Sequence, residues 1–303
     1  MNLQTRVGSV ELPNPVMTAS GTAGHGAELA RSFDLSQLGA VVVKSLSAEP
    51  WAGNPAPRVH QTTGGMLNSV GLQNPGVEAW LEHELPALRA TGARVVASIW
   101  GFSVEAYEKA AAMLIGPAGL VAVEVNVSCP NIEDRRRMFA HSATATAEAL
   151  DAARAAALPR WAKLSPNVTD LTEIADAAAA AGAEAVTLVN TVMGMAIDPA
   201  TRRPRLGAGG GGLSGSAIRP VAVRAIYEVH AASPGTPIVG VGGVASGEDA
   251  VELLLAGASA VQVGTATFAR PRASVLVLQD LTRWCRRHRV ATVTELIGAA
   301  HDR

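Results

Sequence analysis

The chain has 303 residues, 48% of them hydrophobic, and nearly balanced charge, with 25 Lys and Arg against 26 Asp and Glu. That balance excludes a general nucleic-acid binder, which carries a basic excess, and 4% aromatic residues leave few base-stacking platforms. Two cysteines, Cys129 and Cys285, can build neither a disulfide framework nor the four-thiolate cage of an iron–sulfur cluster.

The first residues lack the charged start and apolar stretch of a signal peptide, and no run of about 18 uncharged apolar residues occurs. The expectation is a cytoplasmic protein with reduced thiols and no membrane association. Residues 3–12, LQTRVGSVEL, predict a small hairpin turning at Gly8-Ser9 and closing the bottom of the fold. Eight short β-branched runs then follow: Pro15–Ala19, Ala40–Lys44, Arg94–Ile99, Val121–Val127, Trp161–Leu164, Ala185–Asn190, Pro237–Val241 and Ala260–Gly264. Helical patterns separate them at Val77–Ala90, Val104–Leu114, Thr144–Ala156, Leu171–Ala181, Ala217–Ala231, Gly247–Leu255 and, last, Ala273–Arg287. Alternating strand and helix means βαβ units and a parallel sheet, and eight units in this length predict an α/β fold, the (β/α)8 TIM barrel, as one domain over 1–303. The stretch from Lys44 to Val77 exceeds a simple βα connection and predicts a functional insertion. The glycine-rich Gly207–Gly215, inside the connection between the sixth and seventh strands, is expected to be a mobile loop.

Chemistry in such a barrel belongs at the C-terminal strand ends. Those ends read Ser20, Lys44-Ser45, Ser98, Asn126 with Cys129 and Asn131, Lys163, Asn190-Thr191, Gly242-Gly243 and Gly264-Thr265. Glycines before two adjacent helices let backbone N–H groups approach a phosphate, although tight turns without a ligand have the same signature. Lys44 and Lys163 are candidates for anion binding, a Schiff base, stabilisation of a reduced cofactor, or an internal salt bridge to Glu124. A thiol of reference pKa near 8.5 at Cys129, between two asparagines, suits a general base. Cys285, in a basic C-terminal helix, reads as structural. No metal site is expected. Asn68-Ser69-Val70-Gly71-Leu72, with Asn74, offers amides able to grip a small planar amide.

Taken together, ASGT (19–22), KS (44–45), NPAPR (54–58), GMLNSVGLQNPG (65–76), NVSCPN (126–131), KLSPN (163–167), NTVMGMAID (190–198), GGLSG (211–215), GVGGV (240–244) and VQVGTATF (261–268) resemble the dihydroorotate dehydrogenases over nearly the whole chain. Cysteine at 129 resembles class 1, and residues 194–215 resemble subclass 1B. The resemblance implies one FMN per chain, held by Ser20, Lys44, Ser45, Ser98, Asn126, Lys163, Val189, Gly215, Gly242, Gly243, Gly264 and Thr265. It implies dihydroorotate or orotate at Lys44, Asn68, Ser69, Val70, Gly71, Leu72, Asn126, Asn131, Asn190 and Thr191. Cys129 would take the C5 proton while C6 delivers hydride to the flavin, and Lys163 would stabilise the reduced flavin. Product orotate would serve pyrimidine biosynthesis. A homodimer is implied, with an electron-transfer subunit carrying FAD and 2Fe-2S in a heterotetramer that passes electrons to NAD. The rival within flavin chemistry is a dihydropyrimidine dehydrogenase catalytic module, which shares the NxSCPN loop. Two departures from the family pattern stand out: Ser98, where the family usually has Asn, and the arginines Arg135–Arg137 after the cysteine loop.

Overall fold

The computed structural model describes residues 1–116, 119–128 and 138–302. Eight parallel strands form one sheet: β1 (Val16–Thr18), β2 (Val41–Val42), β3 (Val95–Ile99), β4 (Leu120–Asn126), β5 (Arg160–Lys163), β6 (Ala185–Leu188), β7 (Ile238–Val241) and β8 (Ala260–Val263). Their spatial order is β1-β8-β7-β6-β5-β4-β3-β2. A parallel bridge between Met17 and Ala40 joins β1 to the start of β2 and closes the barrel. The Thr18 hydroxyl reinforces this seam, donating to Val42 O at 3.2 Å and accepting from Val42 N at 2.9 Å.

The period-2 alternation of a strand sorts residues into the barrel's layers. The lower inward layer is Met17, Val42, Val96, Ala122, Trp161, Ala185, Val239 and Ala260, all buried and packed together. Two residues further along every strand lies the next inward layer, which includes Lys44, Ser98, Glu124, Lys163, Thr187 and Gln262. Intervening residues such as Val123, Val125, Ala162 and Val186 face the helices in the outer core. The apolar layer is sealed from beneath by the predicted hairpin, Thr5–Val7 with Val10–Leu12, whose Val7, Val10 and Leu12 join it. Burial of a layer this size is the main stabilising term, at roughly 25 cal/mol per Å² of apolar surface removed from water.

The helices fall where the sequence places them, several with side-chain N-caps: Ser103 for Val104–Ala112, Ser142 for Ala143–Ala152 and Asp170 for Leu171–Ala180. Ser246 and Asp249 form a capping box for Gly247–Leu255. The Val77–Ala90 pattern is interrupted by a π-helical turn over Trp80–Glu84. Pro86 has no N–H to give to the preceding turn and its ring crowds that turn, so the coil widens upstream of it.

One expectation is corrected. Gly207–Gly215 is not simply a loop: Gly211–Ser214 is a strand in a four-stranded antiparallel sheet. Its neighbours are Val192–Gly194 on one side and Gly65–Asn68, itself paired with Val59–Thr62, on the other. Glycine is required because a Cβ on Gly211 would run into the Asn68 carbonyl. A run that reads as flexible in isolation is ordered by close backbone approach. The Lys44–Val77 insertion and the connection between β6 and β7 thereby meet as one sheet over the C-terminal end of the barrel. No helix among the described residues is long and apolar enough to cross a membrane.

Candidate active site

Between the barrel's C-terminal ends and this sheet lies a cavity of about 960 Å³. That is the size of a pocket for a cofactor together with a small substrate.

At one end, Gly242 and Gly243 follow β7, and Gly264 and Thr265 follow β8. Gly242 and Gly243 have φ of 136° and 78°, and a Cβ on Gly243 would stand 2.5 Å from Arg219 Cβ. Gly215, at φ 98°, leaves the neighbouring sheet strand, and a Cβ there would stand 2.7 Å from Gly65 Cα. Side chains are excluded here, which leaves backbone exposed to the cavity. Thr265 Oγ1 lies 2.8 Å from Ser214 Oγ and ties the end of β8 to the sheet.

The floor is the polar inward layer. Lys163 Nζ donates to Ser20 Oγ at 3.0 Å and lies 3.6 Å from Glu124 Oε1, with both side chains almost wholly buried. Gln262 Nε2 donates to the other carboxylate oxygen of Glu124 at 2.7 Å, and Ser98 Oγ to the first at 3.4 Å. Ser98 Oγ is 2.9 Å from Ser45 Oγ, which accepts from Asn126 Nδ2 at 3.4 Å. Asn126 Oδ1 accepts from Asn190 Nδ2 and from Ser128 N, both at 3.2 Å. Tyr107 fixes the same residue's backbone, its hydroxyl donating to Asn126 O at 2.7 Å. Every amide group of Asn126 is therefore oriented before any ligand arrives. The salt bridge between Lys163 and Glu124 and a cavity-facing Lys163 prove compatible, since the ammonium has donors for both.

The far wall is the segment Asn68–Leu72. Asn54 and Arg58 brace it from behind: Ser69 N donates to Arg58 O, Asn54 Nδ2 to Ser69 O and Arg58 Nε to Asn54 O. Trp51 Nε1 donates to Gly71 O at 2.9 Å, and Asn74 Nδ2 to Leu72 O at the same distance. These bonds hold Leu72 at φ 64°, a left-handed conformation costly for a branched side chain.

Beside Lys44, His25 is half-buried, and its backbone carbonyl accepts from Trp80 Nε1 at 2.7 Å. Burial, then the Lys44 charge, depress the imidazole from 6.5 to about 4, against a smaller opposing pull from Glu28. The folded protein thus prefers neutral His25, and the unfolded chain binds the proton first as pH falls. Stability is full above about pH 6.5 and is lost as pH falls towards about 4. Discounted for the exposed part of the ring, the loss is about 2 kcal/mol. Urea unfolding of wild type and His25→Asn between those limits checks this: the variant is expected to lose that component of pH dependence, and identical profiles would refute it.

The family pattern for dihydroorotate dehydrogenase matches residues 2–284. The catalytic subunit of dihydroorotate dehydrogenase B (NAD(+)) from Alkaliphilus oremlandii is 47% identical over 298 residues, 98% of each chain. The chain belongs to the dihydroorotate dehydrogenase family. Its namesake from Geobacter sp. strain M21 is 45% identical, again covering 98% of both chains. A Solibacter usitatus protein provisionally named dihydroorotate dehydrogenase A (fumarate) is 47% identical, covering 98% of this chain and 97% of its own.

Of the residues the family resemblance singles out, Ser20, Lys44, Ser45, Asn68, Ser69, Val70, Gly71, Leu72, Asn126, Lys163, Val189, Asn190, Thr191, Gly215, Gly242, Gly243, Gly264 and Thr265 line the cavity. Ser98 does not: fully buried, it lies one layer down and supports Ser45 and Glu124, because its short side chain spends its hydroxyl on those two neighbours. Cys129, Asn131 and Arg135–Arg137 lie outside the described residues; Ser128, on the cavity wall, leads into them. Cys285 is buried on the inner side of Ala273–Arg287, and desolvation pushes its thiol up, while Arg286 and Arg287 are exposed. Sequence reasoning missed Trp51, Phe102, His60, Gln61 and Met66 on the cavity wall. The hairpin signal was present for the last three: an alternating run, then Thr63-Gly64 with Gly64 at φ 74°, then a second run.

Proposed function

We propose that this chain oxidises dihydroorotate to orotate for pyrimidine biosynthesis, acting as one barrel domain over residues 1–303 and using bound FMN. The observation that carries the reading is the cavity itself. A glycine-lined backbone cradle at one end suits a phosphate, a polar floor with two lysines suits an electron-accepting ring, and a wall of pre-oriented asparagines suits a small cyclic amide. FMN, when bound, supplies the hydride acceptor.

The chain's own residues do the rest. Gly242, Gly243, Gly264 and Thr265 hold the phosphate through backbone groups at the ends of β7 and β8. Lys163, fixed by Ser20 and Glu124, presents positive charge to the ring, where negative charge develops during the reaction. Asn68, Asn126, Asn190 and Thr191, with Asn131, grip the substrate's amide and carboxylate edges. Cys129 removes the C5 proton as general base. Lys44 and Lys163 both line the cavity floor and offer positive charge to an anionic substrate.

Relatives at 45–47% identity carry the name of a catalytic subunit working with NAD(+). By extension this chain passes electrons to a second subunit bearing FAD and 2Fe-2S, two copies of each forming a heterotetramer around a homodimer of this chain. With neither cysteine available for a cluster, that centre belongs to the other polypeptide.

Anaerobic mixing with candidate substrates tests the reading. Dihydroorotate is expected to bleach the flavin absorbance and dihydrouracil to leave it unchanged. The reverse pattern would place the chain with the dihydropyrimidine oxidoreductases instead.

A further inference from the structure

Glu124 has no part in the scheme above except as a neighbour of Lys163, yet it is the least ordinary residue of the barrel interior. It sits in the middle of β4, a strand otherwise apolar until Asn126, and is fully buried. Burying a carboxylate is costly unless it is paired and hydrogen-bonded, and Glu124 is both. Its two oxygens divide the work: Oε2 accepts from Gln262 Nε2, which aims the carboxylate, while Oε1 faces the Lys163 ammonium at 3.6 Å. Lys163 in turn lines the cavity and donates to Ser20 Oγ. The carboxylate itself is not on the cavity wall. Whatever it does to a ligand, it does through the lysine.

We propose that Glu124 is a positioning residue for Lys163: as a buried counter-ion it holds the ammonium at the cavity floor and tempers its attraction for an electron-rich flavin ring. The proposal rests on the reading that the cavity takes FMN. The physical argument is one of shared charge. With Glu124 in place, Lys163 is already compensated, so electrons added to the ring compete for a cation with an existing partner. Without that negative charge, the ring becomes the main counter-charge of a buried cation, and the electron-rich form of the cofactor gains more than the oxidised form. A carboxylate serving only to fill the barrel would affect both forms alike.

The experiment compares the holoprotein with Glu124→Gln and Glu124→Asp. For each, the midpoint potential of bound FMN is measured by dye equilibration, and FMN retention by fluorescence after dilution. Glu124→Gln keeps the shape and the contact with Gln262 but removes the charge. It is expected to raise the ratio of reduced to oxidised FMN affinity about tenfold, which is a potential about 30 mV more positive for a two-electron couple. Glu124→Asp keeps the charge but withdraws it by one methylene, and is expected to fall between wild type and Glu124→Gln; it carries the test alone if Glu124→Gln fails to fold. An unchanged or lowered ratio, with FMN still retained, would overturn the role of Glu124 and leave the flavin reading standing. Wild-type protein with no affinity for FMN would overturn both.

Discussion

Cys129→Ala protein is expected to purify with its flavin and to reduce it with dihydroorotate about 10²- to 10⁴-fold more slowly, the usual contribution of a positioned general base. The proposed cofactor cradle at Gly242, Gly243, Gly264 and Thr265 follows strands remote in sequence from residue 129, so cofactor content has no reason to fall. Binding of orotate is expected to change little, because Asn126 and Asn190, which we propose grip it, are held by each other and by Ser45. Stopped-flow reduction separates these effects. In the wild type the same rate is expected to rise with pH towards the thiol's range, about 8.5 for an unperturbed cysteine. Near-normal reduction by the alanine variant, or a flat wild-type profile between about pH 6 and 9, would remove Cys129 from the mechanism.

Lys163→Met is expected to be the most destabilising single change at the cavity floor. It removes the cation from a buried pair and leaves the Glu124 carboxylate with hydrogen bonds but no ion-pair partner among the described residues. Losing one member of such a pair costs about 3 kcal/mol or more, much of it the penalty of the stranded charge. The double variant Lys163→Met/Glu124→Gln is therefore expected to recover most of that stability while still reducing its flavin more slowly than wild type. Urea unfolding of the four proteins completes the cycle. Additive losses would mean that the pair contributes nothing as a pair.

The barrel is legible in the sequence because parallel strands covered on both faces read as apolar runs, and from Ala40–Lys44 onward each run is followed by a helical pattern. The site is legible for a related reason. A polar residue two places beyond a buried inward position, as Lys163 is beyond Trp161 and Glu124 beyond Ala122, has to lie in the next layer of the interior. What the sequence conceals are contacts between distant segments. Nothing near Gly211 announces that Asn68 will run alongside it, so the glycines read as slack chain until the partner strand is seen. Ser98 reads in the sequence as a cavity residue, and only its three-dimensional neighbours reveal that it supports the floor from below. Local signals carry the elements, and pairing over 140 residues of separation between Asn68 and Gly212 carries the cover.

That cover has a consequence for how such an enzyme can diversify. In most barrels each loop at the catalytic end can be lengthened, shortened or exchanged on its own. Here the segment bearing Asn68 and the segment leading from Thr191 to Gly215 pair antiparallel, with Gly212 opposite Asn68, Leu213 opposite Leu67 and Ser214 opposite Met66. The Asn68–Leu72 wall and the strand that leads into Gly215 are thus one mechanical piece. Remodelling of the first insertion must preserve its register with the second, or the glycine-lined end of the cavity is disturbed with it. Grafting experiments should move the two segments together.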